Sequence, residues 1–303
     1  MSELSDRAEA YLEMRRALGH KLEDHGRLLF SFVDFLDDAG KDYITVDAAV
    51  AWASAPQGVQ PIWWIQRLGV VRCFARHLRA IDERTEVPPA DVFGPRTPRG
   101  APYLYSAGEI ASLMAEARRI RRPLKAATCE TFIGLLASSG LRVGEAIGLD
   151  RSDVDLGVGL ITIRETKFRK SRLVPMHPST ATALSEYARR RDELVPHPQA
   201  DSFFLSLAGT RLVHSEVDRS FQALLAAAGI ERPGGRQPRL ADLRHTFAVS
   251  AILGWYRSGV EVAPRLAVLS TYLGHLKPSS TYWYLQASPE LLAAAAYRRE
   301  VRS

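Results

Sequence analysis

Four segments of the chain carry side chains suited to chemistry on a charged phosphate ester. They are SGLRVGEAIGL (Ser139–Leu149), TKFRKSRLVP (Thr166–Pro175), ADLRHTFA (Ala241–Ala248) and YLGHLKPSSTYWYL (Tyr272–Leu285). Guanidinium groups at Arg142 and Arg244 can grip phosphate oxygens bidentately. An ammonium on a flexible stem, at Lys167 or Lys170, can deliver a proton, which an arginine in effect never does. A tyrosine phenol is a usable nucleophile, although a pKa near ~10 keeps it neutral at pH 7 without help from cations or a base. Each feature also has a bland alternative. Arg142 and Glu145 at i,i+3 read equally as a surface helix pair worth only a few tenths of a kcal/mol. Lys167, Arg169, Lys170 and Arg172 read as a solvated basic tip, and Tyr282, Trp283 and Tyr284 as a packed aromatic cluster. A histidine after a glycine, as at Gly274-His275, is more often structural. Taken singly, the bland readings are favoured.

The whole chain sets the frame for these segments. Its 303 residues suggest two domains. Apolar residues at 46% and charged residues at 24% are ordinary globular values, which excludes a disordered, collagen-like or disulfide-scaffold chain. No apolar run reaches the ~18–20 residues needed to span a bilayer. The start, MSELSDRAEAYLEM, lacks the basic-then-apolar pattern of a secretory signal. Cys73 and Cys129 are the two cysteines, which fits a reducing compartment without a metal cluster. A soluble, cytoplasmic protein is expected. The formal charge of +6 is uneven: residues 1–95 carry a net −4 and residues 96–303 a net +10. A basic two-thirds of the chain could attract a polyanion, but charge alone leaves nucleic-acid binding no better than an arginine-rich enzyme.

The elements that must hold the four segments are mostly helical. Tyr11, Leu12, Met14, Arg15 and Leu18 suggest one helix face, and Leu22, Leu28, Leu29, Phe32, Val33 and Leu36 a second. Thr45 can cap a short helix over Val46–Ala53, and Ile62, Ile65, Leu68, Val71, Ala75 and Leu78 predict a longer one. Together these make a small bundle in which His20, His25 and His77 look scattered. Trp63 and Trp64 are adjacent and cannot both face one core. The stretch Thr85–Tyr103 carries five prolines and two glycines and is the best candidate for an interdomain linker. Beyond it, Ser106 and Glu109 form a capping box, and a second helix covers about Leu124–Ser138, ending near Gly140. Leu160–Arg164 and Arg172–Met176 alternate like strands joined by the polar turn Glu165–Ser171. Ser215 starts a helix that Gly229 closes.

In this order and at these spacings, the four segments resemble the tyrosine recombinase (phage integrase) family, which includes the Xer, Cre and lambda-integrase types. The resemblance spans about residues 103–290. It implies a mainly α fold with a small antiparallel β-sheet (α+β). Residues 1–94 would be a helical core-binding domain that clamps DNA, 95–102 a linker and 103–303 the catalytic integrase domain. The long segment between Arg244 and His275 is more similar to integrases of mobile elements than to Xer housekeeping enzymes.

The resemblance also implies roles. Arg142, Arg244 and His275 would hold the scissile phosphate, with Glu145 bracing the site. Lys167 would be the general acid, with Lys170 as runner-up. Tyr284, nine residues after His275, would be the nucleophile, and Tyr282 stands at the wrong offset. Arg169, Lys170 and Arg172 would touch backbone phosphates. The sequence departs from the family pattern at Ala241, where the family usually carries histidine. A methyl group cannot exchange a proton or bond a phosphate. His245, one residue past Arg244, turns about 100° away on a helix and reads as packed rather than catalytic.

The implied activity is site-specific recombination through a 3′-phosphotyrosyl intermediate, needing no ATP, metal or other cofactor. The implied partner is double-stranded DNA, bound by a homotetramer on two sites, with a monomer as the alternative for the protein free in solution. Ser288-Pro289 can cap a final helix, Leu291–Arg299, which in the family often docks on a neighbouring subunit but can equally pack on its own domain. Two rival readings remain: a DNA-binding paralogue attenuated at Ala241, and a DNA-relaxing enzyme of the type IB topoisomerase kind.

Overall fold

The computed structural model describes residues 2–20, 22–94, 102–164, 171–231, 237–275, 277, 279–286 and 291. These fall into two compact units, one ending at residue 94 and one beginning at 102. Among them, no helix is long and apolar enough to cross a membrane.

The first unit is a four-helix bundle of α1 (Glu3–Ala17), α2 (Glu23–Asp38), α3 (Val46–Ser54) and α4 (Pro61–Leu78). The inward stripe of α1 is Leu4, Ala8, Tyr11 and Leu12, at the i, i+4, i+7, i+8 spacing of a buried helix face. Met14 and Leu18, expected on that face, are exposed instead, because they fall past the end of the stripe. Thr45 caps α3 as its position predicts, accepting a hydrogen bond from the Ala48 N–H at 3.2 Å. On α4 the expected apolar positions from Ile65 to Leu78 are buried, whereas Ile62 in the first turn is exposed. Trp64 donates to the Pro56 carbonyl at 3.0 Å, leaving Trp63 the more open of the pair.

The proline-rich stretch packs on this bundle as far as Gly94. Glu86 N–H donates to the Ile44 carbonyl at 2.8 Å, and Val87 and Phe93 lie against the core. Arg72 reaches the Pro88 and Pro89 carbonyls at 2.7 and 2.6 Å. Proline has no N–H to spend on a ladder, but its carbonyl still accepts, so a buried arginine fixes the extended chain.

The second unit begins with α5 (Ala107–Arg118), opened by the expected capping box of Ser106 and Glu109. It continues through α6 (Pro123–Ser139) and the short α7 (Val143–Ile147) to a single 3-10 turn, Arg151–Asp153. A three-stranded antiparallel sheet follows in the order β1 (Val154–Asp155), β2 (Leu160–Ile163), β3 (Arg172–Pro175). Ile161 opposes Val174 and Ile163 opposes Arg172, so Ile161, Ile163 and Val174 face the core while Leu173 points outward. The strand pair follows the predicted ranges to within a residue. Then come α8 (Pro178–Leu194), α9 (His214–Ala227), α10 (Asp242–Arg257), α11 (Val262–Leu273) and α12 (Ser279–Gln286). The unit has a large core under α5, α6, α8, α9 and the sheet, and a second apolar cluster among α10, α11 and α12 that includes Ala248, Ile252, Leu269 and Tyr284. The turn at 165–170 and, apart from Leu291, the final helix expected over 291–299 lie outside the described residues.

Candidate active site

Two helix ends organise the site. Both α6 and α11 stop on a glycine in the left-handed region, Gly140 at φ +62° and Gly274 at φ +65°. A Cβ at Gly140 would run into the Phe247 ring, and one at Gly274 would stand 2.9 Å from Arg172 Nη1. The last carbonyls of a helix have no intrahelical partner and carry the negative end of its dipole. Three arginines take them. Arg244 on α10 donates to Gly140 O at 2.8 Å and Leu273 O at 2.6 Å. Arg142, the N-cap residue of α7, donates to Gly274 O at 2.9 Å. Arg172, first in β3, donates to Tyr272 O at 2.8 Å.

Glu145 ties two of these guanidinium groups together. Its carboxylate accepts from Arg142 Nη1 at 2.6 Å and from Arg172 Nη1 and Nη2 at 3.0 and 2.8 Å. It also accepts from the Arg142 backbone N–H at 2.9 Å. Burial alone would raise this carboxyl, but the Arg172 and Arg142 hydrogen bonds and charges outweigh burial and hold it at about 2. Arg172 was expected among the DNA-touching basic residues of the turn. Its side chain is instead 11% exposed and turned inward, a bidentate brace on Glu145. Strand register explains the difference, because Arg172 pairs with the inward-facing Ile163 across the sheet.

The two phosphate-gripping candidates differ in exposure. Arg142 keeps 43% of its side chain exposed, whereas Arg244 is buried. Burial, and then the Arg142 charge, push Arg244 down to about 10, so it remains a cation at pH 7. His275 follows directly on Gly274, and its Nδ1 lies 2.7 Å from Thr281 Oγ1. Burial, then the charges of Arg244 and Arg142, push it down to about 4, so it is neutral at pH 7 with no phosphate bound.

Helix α12 delivers Thr281 and Tyr284 on one face, three residues apart, and both are buried. The Tyr284 ring stacks on His275 with centroids 6.0 Å apart, and its phenol is near enough to Arg244 to interact electrostatically. Tyr282, on the other side of the same helix, is 52% exposed. Arg142, Arg244, His275 and Tyr284 therefore gather in one cluster around the C-terminal end of α11. Lys167, Arg169 and Lys170 lie outside the described residues. Ala241 is exposed at the N-terminal end of α10.

Two neighbours of the cluster were not anticipated as part of it. His245 is buried, and its Nδ1 lies 3.2 Å from the Tyr284 hydroxyl. The expectation that it turns away from the Arg244 face assumes one buried face on the helix. Residues Asp242 to Thr246 are all buried, so α10 is enclosed on several sides at this level. The second neighbour is Thr281, whose signal was the i,i+3 spacing to Tyr284.

The fold is that of tyrosine recombinase catalytic domains. Residues 105–290 match the phage integrase family model. The putative integrase/recombinase y4rB of Sinorhizobium fredii (strain NBRC 101917 / NGR234) is 42% identical over all of this chain and 98% of its own length. Tyrosine recombinase XerC of Chlamydia caviae is 29% identical over 75% of this chain and 68% of its own. Among solved structures, the Tn1549 transposon integrase in complex with transposon right end DNA superposes with a TM-score of 0.69 at 16% identity, with 100% of each chain covered. XerH site-specific recombinase in a post-cleavage complex gives 0.64 at 18% identity, covering 91% of this chain and 79% of its own. The chain belongs to the phage integrase family, the tyrosine-type site-specific DNA recombinases.

Proposed function

We propose that the protein cuts and rejoins duplex DNA through a covalent bond to Tyr284. The phenol oxygen attacks a scissile phosphorus, the P–O5′ bond breaks, and the protein is left joined to the 3′ phosphate with a free 5′ hydroxyl. Arg142 and Arg244 hold the non-bridging oxygens as charge develops on them. Two N–H groups of Arg244 anchored on helix-end carbonyls fix the plane of its fork, so little reorganisation is needed when phosphate arrives. His275, neutral in the free protein, gains a proton or donates its own N–H once the phosphate charge is beside it. Lys167 gives the departing O5′ its proton. Attack by a different 5′ hydroxyl on the phosphotyrosine reverses the step and joins new strands, with bond energy conserved.

The observation that carries this reading is the clustering of Tyr284 with Arg244 and His275, beside Arg142 that Glu145 braces. Around it we propose the remaining organisation: residues 1–94 as a DNA-clamping domain, 95–102 as linker, 103–303 as catalytic domain, and a homotetramer on two duplexes of cytoplasmic, nucleoid DNA. Arg169 and Lys170 supply further phosphate contacts from the turn. The test uses nicked suicide duplexes tiling the DNA that flanks the gene, with covalent protein–DNA complexes captured under denaturing conditions. Wild type should yield an adduct and Tyr284→Phe none. Absence of an adduct with wild type supports the rival prompted by Ala241, a DNA-binding protein that does not cleave. Relaxation of plasmids without any special site would favour the topoisomerase-like rival.

A further inference from the structure

We infer that His245 accepts the phenol proton of Tyr284 as that residue attacks DNA, doing at this end of α12 what Ala241 cannot do at the N-terminus of α10. The inference rests on Tyr284 being the nucleophile. Its geometric basis is the 3.2 Å separation between His245 Nδ1 and the Tyr284 hydroxyl, within reach for direct proton transfer. Both side chains are buried, so their separation is fixed by packing. The Trp283 and His245 rings meet in an edge-type contact with centroids 5.4 Å apart, which helps hold the imidazole plane. The other histidine of the cluster is oriented differently. His275 stacks on the Tyr284 ring and turns its Nδ1 to Thr281.

The phenol needs such an acceptor. With a pKa near ~10 only about one tyrosine in a thousand is ionised at pH 7, and a positioned base contributes ~10²–10⁴-fold to rate. The proton balance closes. As the Oη–P bond forms, the phenol proton passes to Nδ1, which requires the tautomer protonated at Nε2 in the resting state. His245 becomes an imidazolium, the P–O5′ bond breaks, and Lys167 protonates the leaving oxygen. On rejoining, the imidazolium returns its proton to the phenol oxygen. Tyr284 and Trp283 from α12 and His275 after α11 are among the groups that face His245.

Single-turnover cleavage on a suicide duplex tests the role, with two substrates that separate base from acid. One carries the ordinary phosphodiester, the other a bridging sulfur at the 5′ position of the scissile phosphate, whose thiolate leaves without a proton. His245→Gln should bind DNA like wild type and cleave about 10²-fold more slowly on both substrates. Lys167→Ala should be slow on the oxygen substrate and recover on the sulfur one. Wild type on the sulfur substrate should gain tenfold in rate per pH unit at low pH and then level off, as one protonated base is emptied. That profile keeps the inference testable if the variant fails to fold. Normal cleavage by His245→Gln, its recovery on the sulfur substrate, or a flat wild-type profile overturns the inference and leaves Tyr284 as nucleophile. An adduct that survives Tyr284→Phe overturns the reading beneath it.

Discussion

Replacing Glu145 by glutamine keeps the shape of the side chain and removes the charge that holds Arg142 and Arg172 together. The structure fixes the size of the effect. The carboxyl is held at about 2 in the folded protein against an ordinary 4.5, and its side chain is 9% exposed, so solvent screens it little. At about 1.4 kcal/mol per pKa unit, the ionised carboxylate stabilises the fold by about 3 kcal/mol at pH 7. Breaking a buried ion pair from one side commonly costs ~3–5 kcal/mol, a comparable figure. For a domain of this size Glu145→Gln should lower the melting temperature by ~6–12 °C. The sign with pH follows from a depressed carboxyl: the stabilisation is complete above 4.5 and is lost as pH falls through 2. At pH 3 the gap between wild type and variant should therefore shrink to about 1.5 kcal/mol. Urea melts of the two proteins at pH 7 and pH 3 measure both gaps. A variant as stable as wild type at pH 7, or a gap that does not narrow at pH 3, would refute the argument that Glu145 is the charged brace of the site.

Three further outcomes follow from the same geometry. Gly274→Ala forces a side chain into the left-handed region, costing about 1–2 kcal/mol, and its methyl pushes Arg172 off Glu145; a thermal melt and a cleavage assay should both fall, and an unchanged melt contradicts the close approach. His275 should titrate near pH 4 in the free protein and move upward when a phosphodiester binds, because a nearby negative charge favours the imidazolium; an NMR midpoint at the ordinary 6.5 without DNA would show that burial and the arginines do not act on it. Ala241→His should leave single-turnover cleavage and the melting temperature close to wild type, since position 241 is exposed and His245 already stands at the phenol; a rise of tenfold or more would mean that proton movement passes this end of α10 and would count against His245 as the acceptor.

Much of the frame was readable from local rules. The boxes and caps at Ser106–Glu109 and Thr45 begin helices where they predict, and Gly140 ends α6, because caps satisfy orphan backbone groups within a few residues of themselves. The gathering of Arg142, Arg244, His275 and Tyr284 was implied by the family resemblance alone; the local rules by themselves favoured a bland reading of each residue. What escaped depended on contacts across the fold. Helix α8 buries Thr180, Leu184, Tyr187 and Arg191, and a buried arginine bonded to the Phe203 carbonyl gives no apolar signal in sequence. Arg172 looks like any basic turn residue until Glu145, 27 positions earlier, is seen to receive it. His245 looked merely packed because a helical wheel shows direction and not which element arrives there; α12 brings Tyr284 to it from 39 residues away. The proline-rich stretch read as linker from Thr85, yet its carbonyls as far as Pro89 serve Arg72, a partner that composition cannot reveal.

The most direct measurement is the chemical identity of the protein–DNA bond. A trapped adduct from the suicide duplex, digested by nuclease and protease and sequenced by mass spectrometry, should carry its residual nucleotide on Tyr284. A nucleotide on Tyr282, or on any residue away from the cluster of Arg142, Arg244 and His275, would contradict the account.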